Sequence, residues 1–247
     1  MEQITSRRNH VVSYLRALGA EPKARREAGA FLCDGETTLR DALNAGVEIT
    51  LVLWAGEPTY ELPDTVEQYI APPNLMQYVS PLKNSPGPVF AVKKPERREV
   101  PVQNAIVLEN VQDPGNVGTV IRTANAMGAG AVILVGACAD CYGPKAVRAS
   151  MGAIFRQNIV VTDLDGLKAY VSANSLPLFG AALSERAVDL REVSVKNAAV
   201  AVGSEGKGLS PELLSLCRGE LIIPMEPCSE SLNAAVAASI ILWEMRR

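Results

Sequence analysis

Residues 198–247 read AAVAVGSEGKGLSPELLSLCRGELIIPMEPCSESLNAAVAASIILWEMRR, and this stretch decides the fold class. Two short apolar runs in it, 198–202 and 221–223, each end in a loop rich in glycine, proline or serine. Apolar runs bounded by such residues are typical of buried strands. Because ligands bind beyond the carboxyl ends of strands in an open parallel sheet, we predict a cofactor site at these two loops.

The remainder of the second half alternates strand-like and helix-like segments. This alternation predicts an α/β domain whose parallel sheet is covered by helices on both faces. Strands are predicted at 105–108, 131–135, 159–161, 178–183 and 198–202, and helices at 116–127, 144–152 and 164–173.

The first half has the same alternation on a smaller scale. Helices are predicted at 9–18 and 35–45, and strands at 31–33, 49–54 and 66–70. Five prolines between Pro81 and Pro101 and the charged run 93–99 predict a domain boundary with an extended linker. We therefore predict a first domain at 1–95, a linker at 96–104 and a second domain at 105–247.

The composition indicates a globular protein of 247 residues with 48% hydrophobic and 21% charged residues. The N-terminus has no apolar signal segment, and the most apolar run, 234–243, is shorter than the roughly 20 residues that span a bilayer. A cytoplasmic protein is expected. Six Lys or Arg in residues 1–30 and five in residues 83–98 are consistent with either a nucleic-acid surface or an ordinary solvated one.

Metal and redox chemistry have little support in the sequence. Cys138 and Cys141 have the CxxC spacing, but no second pair follows, and His10 is the single histidine. We therefore expect no metal site and no histidine general base.

Three stretches combine glycine-rich turns with polar side chains: 108–130, 203–208 and 223–233. The dinucleotide fingerprint GxGxxG is not met, and Lys207 is followed by Gly208 where a P-loop needs Ser or Thr. A dinucleotide-dependent oxidoreductase and a nucleotide triphosphatase are both disfavoured. In the third stretch either Ser231 or Ser229 is expected to cap the final helix, whereas Asn233 has less structural reason for its position.

These stretches resemble the three motifs of the SpoU/TrmH family of S-adenosylmethionine-dependent RNA ribose 2′-O-methyltransferases. The resemblance covers residues 102–247, and VRASMGAIF (147–155) is similar to a further family segment. FLCDGETTLRDALNAG (31–46) is similar to the L30e-like substrate domain of many members. The matching motifs are DPGNVGTVIRTANAMGA (113–129), VGSEGKGLS (202–210) and IPMEPCSESLNAAVAASIILWE (223–244).

The resemblance implies a deep trefoil knot in the second domain and a defined set of site residues. Pro227 departs from the family pattern, in which many members have glycine. The arginine is the general base in the family's proposed mechanism, but a guanidinium is normally never deprotonated, which favours phosphate binding and alkoxide stabilisation instead. The implied catalytic residues are Arg122, Asn116, Glu205, Ser231 and Asn233, and the implied cofactor-binding residues are Gly203, Ile223, Met225 and Leu232.

The resemblance also implies partners. We expect S-adenosylmethionine as the cofactor, RNA as the substrate and a homodimer formed near the last helix. An rRNA is favoured over a tRNA because of the additional N-terminal domain. A non-catalytic RNA-binding protein on the same fold is the alternative from another functional class.

Overall fold

The computed structural model describes residues 1–82, 85–96, 102–226 and 231–247, which form two compact units. Unit 1 comprises Met1–Glu96 and Asp140–Arg156. Unit 2 comprises the described residues of 102–139 and 157–247. The predicted boundaries place 140–156 in the second domain, whereas this segment packs within unit 1, where the Phe155 and Phe31 rings stack at 6.1 Å.

The elements of the first half are β1 (Glu2–Gln3), α1 (His10–Ala20), α2 (Pro22–Glu27), β2 (Ala30–Asp34), α3 (Glu36–Ala45), β3 (Ile49–Trp54), β4 (Glu67–Ile70), α4 (Pro73–Val79) and β5 (Val89–Lys93). Those that follow are β6 (Ala105–Glu109), α5 (Pro114–Met127), β7 (Ala131–Val135), α6 (Pro144–Ser150), β8 (Ile159–Thr162), α7 (Leu164–Ala173), β9 (Leu178–Ala181), β10 (Val188–Asp189), β11 (Ala199–Val202), α8 (Pro211–Leu216), β12 (Gly219–Ile222) and α9 (Ala234–Arg246). Within the described ranges, no helix combines the length and the apolar character needed to cross a membrane.

Unit 1 is built on a five-stranded mixed sheet in the order β1-β4-β3-β5-β2. Val12, Leu15 and Leu18 of α1 are fully buried in its core, as the helical spacing of these residues predicts. The compact α/β character of the N-terminal domain is confirmed, and its assignment as L30e-like stays a prediction.

The stretch between Pro81 and Pro101 was predicted to be a domain boundary with an extended linker. This prediction was wrong for residues 89–93, which form β5. This strand lies inside the sheet and pairs antiparallel with both β2 and β3. Residues 89–92 are fully buried, so the segment is a core strand and its prolines lie outside it. The described part of the predicted 96–104 linker is limited to Glu96 and residues 102–104.

Unit 2 is built on a seven-stranded sheet in the order β10-β12-β9-β11-β6-β7-β8, and all of its recorded pairings are parallel. The predicted parallel α/β fold class is therefore confirmed, while the trefoil knot stays a prediction. Four adjacent strands, β12, β9, β11 and β6, end at the same edge because they run parallel. The glycine-, proline- and serine-rich loops of the predicted site follow three of these strand ends.

Candidate active site

The loops beyond β9, β11 and β12 enclose a cleft of about 600 Å³ in unit 2. This volume lies within the range of small-molecule and cofactor pockets. The cleft is lined by the glycine-rich loop after β11, by apolar side chains and by four charged residues, of which Arg186 and Glu220 form an ion pair at 3.1 Å. Its walls include all four predicted cofactor-binding residues, Gly203, Ile223, Met225 and Leu232, together with the predicted catalytic residues Glu205 and Ser231.

Gly203, at the end of β11, has no space for a side chain. A Cβ atom there would lie 2.1 Å from both the carbonyl carbon and the oxygen of Gly208. The loop closes on itself because the Gly208 N–H donates to the Ser204 carbonyl oxygen at 2.8 Å. Gly208 itself adopts a φ of 65°, a left-handed conformation that favours glycine. The loop consequently brings bare backbone to the cleft wall.

A buried carboxylate fixes the far end of this loop. Glu109, the last residue of β6, is only 3% exposed. Its Oε2 accepts the Ser210 N–H at 2.7 Å and its Oε1 accepts the Ser210 hydroxyl at 2.6 Å. The same Ser210 Oγ accepts the Leu213 N–H and thereby caps α8. Sequence reasoning missed Glu109, although an acidic residue closing the apolar run AIVLE is a detectable signal.

Side chains from all three motifs meet in one hydrogen-bonded chain. The Asn116 Nδ2 donates to Glu205 Oε1, and the Asn233 Nδ2 donates to Asn116 Oδ1 at 3.1 Å. We call Glu205, Asn116 and Asn233 the amide relay. Because each bond has a defined donor and acceptor, the relay fixes the orientation of both amides.

The start of α5 positions the central member of the relay. The helix begins at Pro114, two residues earlier than the sequence analysis predicts, and Asp113 is its N-cap. The Asp113 Oδ1 accepts the Asn116 N–H at 2.8 Å. This cap holds Asn116 in the first turn, where its side chain bonds to Glu205 and Asn233.

The prediction that Ser231 caps the final helix was wrong. The N-cap of α9 is Asn233, whose Oδ1 accepts the N–H groups of Ala235 at 2.9 Å and Val236 at 3.3 Å. Asn233 therefore has a structural role in addition to its place in the relay. Ser231 is exposed and lines the cleft, while Ser229 and Pro227 lie outside the described residues.

Arg122 is not brought into contact with the relay. It lies on the exposed side of α5 and forms no hydrogen bond or ion pair with any residue that the structure describes. Its guanidinium is therefore not used to stabilise the fold. A guanidinium that has no partner among the described residues is available to a substrate.

Replacing Asn116 with aspartate is expected to lower the methyl transfer that the family resemblance implies by about thirtyfold. The substitution removes the donor to Glu205 and places two carboxylates in contact, which disfavours the ionised pair. Steady-state transfer of a radiolabelled methyl group to RNA measures the loss. Gln112→Glu adds the same negative charge at an exposed position just before α5 and is the control. Equal rates for the two variants would contradict a role for the relay.

The CxxC thiols are poorly suited to metal or redox chemistry. Burial raises the pKa of Cys138, whose Sγ donates to the Leu108 carbonyl oxygen at 3.2 Å. Burial likewise raises the pKa of Cys141 to about 12. Protonated thiols are weak ligands and weak nucleophiles. In the described portions of the chain, no group of three or more His, Cys, Asp or Glu residues is arranged to hold a metal ion.

Alkaline solution is expected to destabilise the fold because of these thiols. Burial raises the pKa of both Cys141 and Cys33 above the ordinary value near 8.5. The folded chain thus retains protons that the unfolded chain releases, so stability is complete below about pH 8.5 and falls as pH rises toward about 12. Each retained proton contributes a slope of about 1.4 kcal/mol per pH unit in that window. Urea midpoints at pH 8 and about pH 10.5 measure it, and Cys141→Ala is expected to show a shallower decline.

The family model described as the SpoU rRNA Methylase family matches residues 103–243. This match covers more than half of the chain, including β6 through most of α9 and every member of the relay. The chain belongs to the SpoU rRNA methylase family. The predicted family and the predicted class of enzyme, a methyltransferase, are thereby confirmed.

Similar proteins of known name extend this match to both units. The chain is 30% identical over its whole length to the 23S rRNA (guanosine(2553)-2′-O)-methyltransferase RlmP of Bacillus subtilis (strain 168), which is also covered entirely. It is 31% identical to the 23S rRNA (uridine(2479)-2′-O)-methyltransferase of Streptomyces viridochromogenes, over 99% of this chain and 92% of the relative. The AdoMet-bound rRNA methyltransferase from Sinorhizobium meliloti superposes with a TM-score of 0.87 at 27% identity, over 100% of this chain and 97% of that chain.

Proposed function

We propose that the chain transfers the methyl group of S-adenosylmethionine to a ribose 2′-hydroxyl of 23S rRNA. The observation that carries this proposal is the amide relay, which joins the three family motifs and whose Glu205 lines the cleft. Two relatives named as 23S rRNA 2′-O-methyltransferases support the choice of RNA. Their names give different nucleotides, so the target base is an independent property of each protein.

The cleft fits S-adenosylmethionine in size and in the character of its walls. Bound there, the cofactor supplies a methyl group on a positively charged sulfur. The backbone around Gly203 and at Ile223 and Leu232 offers N–H and carbonyl groups to the edges of an adenine. Met225 provides an apolar surface beside them.

The relay has the geometry of a positioning device for the substrate. Glu205 lines the cleft, and Asn116 and Asn233 hold its carboxylate through a fixed chain of bonds. Aligning a nucleophile at a near-attack distance of about 3–3.5 Å contributes several powers of ten to a rate. We assign Glu205, Asn116 and Asn233 to this alignment.

Arg122 and Ser231 are assigned to the charge that develops on the ribose oxygen. The free guanidinium of Arg122 binds a substrate phosphate and stabilises the developing alkoxide. Ser231, exposed at the cleft, passes the hydroxyl proton to water. The single histidine of the chain, His10, lies on α1 of unit 1 and has no part in this scheme.

Mapping of 2′-O-methylated nucleotides in total RNA, with and without the gene, tests the proposed function. We expect one 23S rRNA position to lose its methyl group when the gene is deleted and to regain it with purified protein and S-adenosylmethionine. Loss of a tRNA methyl group instead would favour the tRNA alternative. Binding of RNA without transfer to any RNA would favour the non-catalytic alternative.

We further propose that two copies of the chain associate through α9. Its outer face carries Val236, Ile240 and Trp243, which are 47%, 38% and 62% exposed. Their spacing of four and three residues places them on one stripe of the helix. Together with the side of α5 this stripe borders a groove of about 500 Å³ that also contains Asn116 and Asn233. A stripe of this kind suits a second copy, since a twofold interface pairs one patch with itself.

Trp243→Glu is expected to convert the proposed dimer to a monomer at micromolar concentration. A carboxylate in the centre of an apolar contact loses its hydration without gaining a partner, which costs several kcal/mol. Light scattering coupled to gel filtration measures the mass. Val188→Glu introduces the same charge at an exposed apolar residue on the edge strand β10 and is the control. An unchanged mass for Trp243→Glu would refute the α9 interface.

A further inference from the structure

A tyrosine in unit 1 carries two arginines that have no role in the cleft. The Cζ of Arg16 lies 3.9 Å from the centre of the Tyr78 ring, and the Cζ of Arg7 lies 4.4 Å from it. Arg16 also donates from Nη1 to the Tyr78 carbonyl oxygen at 2.7 Å. We call Arg7, Arg16 and Tyr78 the Arg–Tyr–Arg cluster. It joins the segment before α1, α1 itself and α4.

The positive charges of this cluster are not neutralised by the protein. Among the residues that the structure describes, neither Arg7, Arg16 nor the neighbouring Arg8 forms an ion pair. Three other cations of unit 1 have carboxylate partners: Lys23 pairs with Glu27, Arg25 with Asp140 and Lys93 with Glu48. The chain as a whole has a net charge of −3, so the positive charge at this cluster is a property of this surface and not of the whole chain.

The cluster is also pre-organised. Tyr78 is partly buried and packs against the core of unit 1, so its ring is a fixed platform. Two guanidinium groups held on one ring repel each other, and the ring offsets only part of that cost, since an exposed cation–π contact contributes about 0.5–1 kcal/mol. An anion bound between or beside the two groups would relieve the repulsion. The arrangement therefore favours a partner with closely spaced negative charges.

The donors that remain free match phosphodiesters. Each guanidinium has five N–H donors in a rigid planar fork, and Arg16 commits only one of its nitrogens to the Tyr78 carbonyl. Phosphate oxygens accept such forks in pairs. Contacts of this kind fix the position of a nucleic acid without reading its sequence.

We propose that the Arg–Tyr–Arg cluster is a docking site for the phosphodiester backbone of the substrate RNA. This inference rests on the proposed function, since it assigns a second contact surface for the same rRNA. In addition to the methylation site, the cluster provides a contact in unit 1 that increases the affinity of the protein for RNA. Not every basic residue of the N-terminal region is assigned to RNA. Arg25 is buried against Asp140 and cannot bind RNA in the same way.

The experiment compares two double variants of the full chain. Arg7→Gln with Arg16→Gln removes both cluster charges, and Lys23→Gln with Lys93→Gln removes the same number of charges from exposed, ion-paired lysines of the same unit. The probe is 23S rRNA transcribed in vitro, with Kd measured between about 50 and 200 mM KCl. We expect the cluster variant to bind about tenfold more weakly, with a salt slope lower by about 1.4 to 1.8 for two lost phosphate contacts. The control variant is expected to match the wild type.

Three further measurements make the outcome decisive. The Kd for S-adenosylmethionine is expected to be unchanged in both variants, and the thermal unfolding midpoint to shift by at most a few degrees, because Arg16→Gln removes one hydrogen bond to the Tyr78 carbonyl oxygen. With the cofactor Kd unchanged, a loss of RNA affinity reflects the surface. Equal RNA affinity and salt slope for the two double variants would overturn the inference. So would competition by polyglutamate as effective as that by RNA, which would assign the cluster to an acidic protein. If the wild type neither binds nor methylates the 23S transcript, the proposed function fails and this inference fails with it.

Discussion

Gly203→Ala is expected to weaken S-adenosylmethionine binding by more than about a thousandfold. The added Cβ would lie 2.1 Å from the Gly208 carbonyl group and 2.4 Å from the Leu209 nitrogen. Both are backbone atoms, so no side-chain rotation can relieve the contact. Overpacking of a core typically costs about 1–3 kcal/mol, and a clash this short with the rigid peptide group between Gly208 and Leu209 exceeds that range. The loop must open, and the cleft wall that it forms is lost.

Gly206→Ala is the matched control for this substitution. It lies three residues away in the same loop, and a Cβ there would meet no atom within 4 Å. We expect its Kd for S-adenosylmethionine to stay within about threefold of the wild type. Isothermal titration calorimetry measures both variants, and the near-ultraviolet circular dichroism of unit 2 reports whether the fold is intact. Normal binding by Gly203→Ala would show that the loop is not the cofactor wall.

Arg122→Ala is expected to lower kcat by about a thousandfold while leaving cofactor affinity and thermal stability unchanged. The expected loss corresponds to removal of one preorganised electrostatic group from a transition state. Stability is preserved because the exposed guanidinium has no partner among the described residues. A residue whose removal lowers turnover without changing cofactor affinity or stability acts on the substrate.

Two further variants sharpen this prediction. Arg218→Ala removes an exposed arginine elsewhere in unit 2 and is expected to retain full activity. Arg122→Lys retains the charge but not the planar fork, so we expect it to recover only part of the rate. Single-turnover measurements with saturating RNA separate the chemical step from RNA binding. Full activity of Arg122→Ala would exclude both phosphate binding and alkoxide stabilisation by this residue.

The parallel sheet of unit 2 was predictable because its strands are short apolar runs bounded by glycine, proline or serine. The strand β5 was not, because flanking prolines and lysines give the same local pattern as a linker. Its burial is set by pairing with β2 and β3, which come from distant parts of the chain. The edge strands β1 and β10 contain two residues each and have no periodicity to detect.

The sequence names the residues of the candidate site, and their roles stay predictions, but it does not give their arrangement. The relay joins Asn116 to positions 89 and 117 residues further along the chain, and Glu109 reaches Ser210 across 101 residues. Such contacts depend on the order of strands in the sheet. The cap of α9 was missed for a local reason. Ser229, Ser231 and Asn233 lie within five residues of one another, and serine and asparagine are both good N-cap residues.

Asn233 links the start of a helix to the orientation of the Asn116 amide. Its Oδ1 holds the first turn of α9 while its Nδ2 holds Asn116. Fraying of that turn would therefore release the relay, and an association that stabilises α9 would keep the relay closed. Under the proposed α9 association, turnover is therefore expected to rise with protein concentration, because the amide that caps α9 also holds Asn116.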